Sequence, residues 1–240
     1  CAGSPPVIKC PTSPAFVWAL VGIGAALLFA LPFLPSRIDA PAPAAVVDPA
    51  NCNGCQRCFA DCPYAAITMV PHPNQRIGRT LAQVDADLCV SCGICAGACP
   101  SSTPFRSAAQ LVTGIDMPQL PIDALRQRLR ESLASTSGSH PIVVFGCDHG
   151  AGVARLQAGY VSIFSRLCTG QLPPSFVEYA LRDGAAGVVV AACRDGGCEF
   201  RFGERWTAER LRGKREPHLR ASVDAEPVEL VFAGRGDVAQ

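Results

Sequence analysis

Hydrophobic and polar positions change their pattern three times along this 240-residue chain. Residues 15–34, "AFVWALVGIGAALLFALPFL", carry no charge and are almost all apolar. About twenty such residues match the thickness of a bilayer core, and Pro32 and Pro35 are helix stops. The pattern predicts one transmembrane helix over residues 15–35. A buried core helix or a signal h-region is the alternative, though an h-region is shorter and precedes a cleavage site. Residues 1–14 form a short N-terminal segment. Residues 36–45, ending in "APAPAA", read as a stiff Pro-rich linker.

A second pattern occupies a connector at residues 106–140. In "LPIDALRQRLRESLASTSGS", Ile122, Leu125, Leu129 and Leu133 fall on one helical face. Arg126, Arg128, Arg130 and Glu131 fall on the other. A helix packed on its own domain, or one lying on a membrane surface, satisfies that stripe. The third pattern begins at residue 141. "PIVVFG", "VSIF" (161–164) and "GVVVAA" (187–192) are short apolar runs rich in β-branched residues. "PPSFVEYALRDGAAG" lies between the last two. It opens on proline, carries a helical stripe and closes on glycine. The alternation predicts a small α/β domain with a parallel sheet over residues 141–215. Residues 216–240 form a C-terminal extension with no readable pattern.

Composition changes the picture through cysteine. The formal net charge is +1, which gives no electrostatic basis for binding nucleic acid. There are 14 cysteines, clustered in CxxC pairs as metal ligands are, in a chain too long for a small disulfide scaffold. The pattern C-x2-C-x2-C-x3-C-P occurs twice, at Cys52, Cys55, Cys58, Cys62, Pro63 and at Cys89, Cys92, Cys95, Cys99, Pro100. Each run offers three thiolates to one [4Fe-4S] cluster and its fourth to the other. The first cluster is then assigned Cys52, Cys55, Cys58 and Cys99, and the second Cys89, Cys92, Cys95 and Cys62. Small residues (Asn53, Gly54, Ser91, Gly93, Gly97) let the backbone curl and aim N–H groups at sulfur. Zinc sites use two CxxC pairs with a longer gap between them. Residues 46–105 resemble a bacterial-type 2[4Fe-4S] ferredoxin domain, with a longer segment between the runs that extends a hairpin.

Four cysteines remain downstream: Cys147, Cys168, Cys193 and Cys198. The first three follow the three strand candidates. In a parallel sheet, ligands gather beyond the carboxyl ends of the strands. Cys198 joins them across "RDGG". Four thiolates at one point suit a [2Fe-2S] cluster or structural zinc, and four cysteines can also pair as disulfides.

The segments "VFGCDHGAG", "RLCTGQLPPSFVEYALRDGAAGVVVAACRDGGCEFRFG" and "RWTAERL" resemble the delta subunit of methyl-viologen-reducing hydrogenase, the hydrogenase iron–sulfur subunit family. The resemblance covers residues 141–215. It implies a [2Fe-2S] cluster and electron transfer between a redox partner and heterodisulfide-reductase-type subunits. That family usually carries another cysteine soon after the first. Here the stretch is "CDHGAG", which makes Asp148 and His149 candidates to contribute.

These readings give an α+β ferredoxin-like 2[4Fe-4S] domain and a small α/β parallel-sheet domain, preceded by one transmembrane helix. The expected function is a membrane-anchored, non-catalytic electron-transfer subunit of an oxidoreductase complex. It would hold two [4Fe-4S] clusters and one [2Fe-2S] cluster. It would join quinone- or cytochrome b-type membrane subunits in the lipid bilayer to a soluble partner of heterodisulfide-reductase or hydrogenase type. A redox sensor or scaffold with structural zinc in the last domain is the alternative. No dinucleotide-binding glycine motif, P-loop or catalytic triad is present. Twelve cysteines follow the apolar run and only Cys1 and Cys10 precede it. Because clusters need reduced thiols, this predicts a single-pass inner-membrane protein with its iron–sulfur domains in the cytoplasm. Cys1 and Cys10 suit a lipoprotein start, a disulfide, or simply the point where the chain begins.

Overall fold

A computed structural model describes residues 14–30, 42–100, 112–136, 140–156 and 159–237. Two compact units divide the chain, residues 1–41 and 42–240. In the first, α1 runs Pro14–Ala30 and exposes large apolar side chains such as Trp18 and Phe29.

The transmembrane helix expected over residues 15–35 is not found. α1 has 17 residues, which rise about 25 Å at 1.5 Å each, short of the bilayer core's roughly 30 Å. Among the described residues no helix is long and apolar enough to cross a membrane. An uncharged run reports polarity, not helix length, and the described helix covers Pro14–Ala30. The expected single-pass inner-membrane location, its sidedness and the bilayer contact all depend on that helix and fall with it. Residues 31–35, Cys1 and Cys10 lie outside the described residues.

The second unit carries two short cysteine-bearing helices, α2 (Arg57–Ala60) and α3 (Ile94–Ala98). Each follows a residue in the left-handed conformation, Gln56 at φ 66° and Gly93 at φ 76°. Between the helices lies the antiparallel hairpin of β2 (Ile67–Pro71) and β3 (Thr80–Val84), in the register Ile67↔Val84. The His72 ring, set between the Pro49 carbonyl at 3.0 Å and the Asn74 N–H at 2.8 Å, ties the hairpin to the first run. A two-residue ladder of β1 (Val46–Val47) and β4 (Ile115–Asp116) closes this region.

α4 (Ile122–Ser135) follows, with Ile122, Leu125, Leu129 and Leu133 buried, as the stripe predicts. The sheet after it is parallel throughout, in the order β6–β5–β7–β8. Its strands are β5 (Ile142–Cys147), β6 (Val161–Arg166), β7 (Gly187–Ala192) and β8 (Val228–Phe232). β8 lies in the C-terminal stretch where the sequence shows no pattern. α4 and α5 (Ser175–Arg182) bury their apolar residues against Val143, Phe145, Phe164, Val188 and Val190. Alternate residues, Val144, Ala191 and the half-buried Ile163, pack with Val153 on the opposite face. This alternation is the period-two rule of a strand. α6 (Gly203–Leu211) connects β7 to β8, and its Trp206 packs among Cys92, Ile94 and Cys168.

Candidate metal centres

The two cysteine runs share one backbone device. In the first, Gly54 (φ 71°) and Gln56 (φ 66°) flank Cys55; in the second, Ser91 (φ 60°) and Gly93 (φ 76°) flank Cys92. A left-handed residue on each side of the second cysteine curls the loop tightly. The curl brings the Arg57 N–H to Cys55 and the Ile94 N–H to Cys92. Gly54 is sterically required, because a Cβ there would lie 2.2 Å from the Thr80 carbonyl oxygen.

The thiols gather around two cavities, and in each the set crosses between the runs. One cavity is lined by Cys52, Cys55, Cys58 and Cys99, with Met69, Ala82 and Ile115. The other is lined by Cys62, Cys89, Cys92 and Cys95, with Tyr64, Ile67 and Met117. The Ala66 N–H donates to Cys62 Sγ at 3.3 Å. Burial first and neighbouring thiols second push the Cys58 thiol up to about 12, and burial pushes Cys92 up to about 12 as well. Four thiolates crowded in one apolar cavity repel each other, so a cationic core must compensate them. Bound iron would supply that positive charge and would hold each sulfur as a thiolate. The donor sets therefore fit iron–sulfur clusters.

The other four cysteines meet at the carboxyl end of the parallel sheet. Cys147 ends β5, Cys168 lies two residues beyond β6 and Cys193 directly follows β7. Cys198 returns across the turn closed by the Gly197 N–H and the Arg194 carbonyl at 2.8 Å. The thiols form a closed ring: Cys147 contacts Cys168 and Cys193, and Cys198 contacts the same two. Those bonds hold Cys147 down to about 3 and keep Cys198 well below the usual thiol range, while the donating partners Cys168 and Cys193 are raised. Backbone N–H groups of His149 and Gly170 donate to Cys147 Sγ and Cys168 Sγ, each at 3.4 Å. Such bonds tune thiolate-ligated iron. The His149 ring stands edge-on to Phe200, 5.2 Å away, and the Asp148 carboxylate accepts from the Ser165 hydroxyl. Glu204, buried beside Cys198, is pushed up to about 7 by desolvation and then by that cysteine.

All twelve described cysteines are free of disulfides. Among the described residues no group of three or more His, Cys, Asp or Glu side chains is arranged to hold a single metal ion.

Residues 51–103 match the 4Fe-4S dicluster domain, and residues 142–239 match the delta subunit of methyl-viologen-reducing hydrogenase. The chain therefore carries a dicluster domain followed by a domain of the hydrogenase delta type. The dicluster match supports two [4Fe-4S] clusters. A similar protein is an iron-sulfur subunit of the F420-non-reducing hydrogenase vhc of Methanococcus voltae, 35% identical over 66 residues. The alignment covers 25% of this chain and 46% of the relative, so the chain spans about half the length of that relative.

The two matched domains are joined by contacts that no motif announces. Arg210 is fully buried and bridges the Gly170 carbonyl (2.8 Å) to Asp61 Oδ2 (2.6 Å). Arg215 takes the other Asp61 oxygen at 2.6 Å and Glu209 at 2.7 Å. The Arg201 guanidinium donates to the Pro63 carbonyl at 3.0 Å and lies 4.8 Å from the centroid of the Tyr64 ring. Tyr64 also lines the second cavity, and burial, then the Cys92 charge, raise its phenol.

Proposed function

We propose that this chain is an iron–sulfur electron-transfer subunit of a hydrogenase-like complex. Cys52, Cys55, Cys58 and Cys99 hold one [4Fe-4S] cluster, and Cys62, Cys89, Cys92 and Cys95 hold the other. Cys147, Cys168, Cys193 and Cys198 hold a [2Fe-2S] cluster. Together the three sites pass single electrons between a hydrogenase-type partner and a heterodisulfide-reductase-type partner. The observation that carries this reading is the grouping of twelve cysteines into three sets of four within one compact unit. The protein's own residues supply thiolates, N–H···S bonds and apolar burial.

Metal and acid-labile sulfide analysis of anaerobically purified protein tests it. About ten irons and ten sulfides per chain are expected, from two four-iron clusters and one two-iron cluster. About eight irons with one zinc would overturn the [2Fe-2S] assignment.

A further inference from the structure

The second ferredoxin-type site and the C-terminal site share one wall. Cys92 and Ile94 pack in a single cluster with Cys168, Trp206, Cys198 and Phe200. On the other side, Cys95 and Cys58 belong to one core that also contains Cys52 and Cys99. The second site is therefore the middle of three. The wall between it and the C-terminal site is held by one buried cation. Asp61 directly precedes Cys62, and Gly170 lies two residues after Cys168. Arg210 joins them with no solvent exposure of its own. The contact is close, because a Cβ on Gly97 would meet the Gly170 carbonyl oxygen at 2.1 Å.

We propose that Arg210 is a positioning residue for electron transfer. By bridging Asp61 to Gly170 it fixes the middle site against the C-terminal one, and electrons pass in the order first, middle, C-terminal or the reverse. This rests on the electron-transfer reading above. Each transfer oxidises one cluster and reduces its neighbour by one electron. No bond forms or breaks, and no proton is required. A guanidinium suits the task because it is planar and charged at every working pH, and offers two donors to two different acceptors. A lysine ammonium cannot span both in the same geometry.

The experiment compares the parent with Asp61→Asn, Arg210→Lys and Gly97→Ala, all purified anaerobically. Iron content is measured first. Spin–spin coupling in the fully reduced protein is then read by electron paramagnetic resonance. The transfer rate to the C-terminal site is read by rapid freezing after photoreduction. Hydrogen exchange at residues 169–172 gives a readout independent of iron. In at least one variant the iron stays at about ten. In that variant, coupling between the two ferredoxin-type clusters persists, coupling to the C-terminal cluster weakens, the last transfer slows at least tenfold and exchange at 169–172 rises. Arg210→Lys retains more of the coupling than Asp61→Asn. Unchanged coupling and rate with full iron in all three variants would overturn the proposal. So would loss of iron from every site in every variant, since Arg210 would then serve folding alone. A parent with about eight irons would instead remove the three-site reading, and this proposal with it.

Discussion

Gly203 shows how closely the C-terminal site is fitted to single atoms. A Cβ at this position would lie 2.0 Å from Cys168 Sγ and 3.1 Å from Cys198 Sγ, inside the ring of thiols. The conflict is with a buried cysteine just beyond β6 whose sulfur accepts from the Gly170 N–H, so it cannot be relieved by moving a flexible side-chain end. Gly159→Ala is the control, since nothing lies within 4 Å of a Cβ there. Gly203→Ala is expected to lower iron from about ten to about eight per chain while both [4Fe-4S] signals remain. Full retention of iron would show that the ring is not where the third cluster sits. Glycine in "FRFGERW" carries no mark of this in sequence, because the neighbour it avoids is 35 residues away.

At the scale of elements, the two cysteine runs work only as a pair. Cys62 closes the first run in sequence but lines the cavity of the second, and Cys99 does the reverse. Cys62→Ser is therefore expected to damage the cluster of Cys89, Cys92 and Cys95, and electron paramagnetic resonance of the reduced variant checks it. Damage confined to the cluster of Cys52, Cys55 and Cys58 would refute the crossed assignment. The two runs themselves were legible because their spacing is a local property. So were α4, whose stripe of Ile122, Leu125, Leu129 and Leu133 follows the helical period, and β5 to β7, whose short runs are rich in β-branched apolar residues. β8 was not legible. "VELVF" is short, contains Glu229 and borders only β7, so half of it is exposed and the apolar signal fades. α1 misleads for a different reason: its composition suits lipid, but its described length does not suffice.

For the molecule as a whole, the contacts that sequence could not show are those that join the two domains. Asp61 and Arg210 lie 149 positions apart, and nothing in the sequence pairs them. A buried ion pair of this kind repays its desolvation only through close geometry and complete hydrogen bonding. The Arg215 and Gly170 contacts supply much of that. The result is one compact unit in which three four-cysteine sites follow one another through packed side chains. An electron carrier with this layout should fill and empty by single electrons. The most direct test is a stepwise reductive titration of the anaerobically purified protein, followed by electron paramagnetic resonance. Three electrons per chain should be taken up and returned on reoxidation, with signals from two [4Fe-4S] clusters and one [2Fe-2S] cluster. Uptake of only two electrons, with no signal beyond those of the two [4Fe-4S] clusters, would contradict the account.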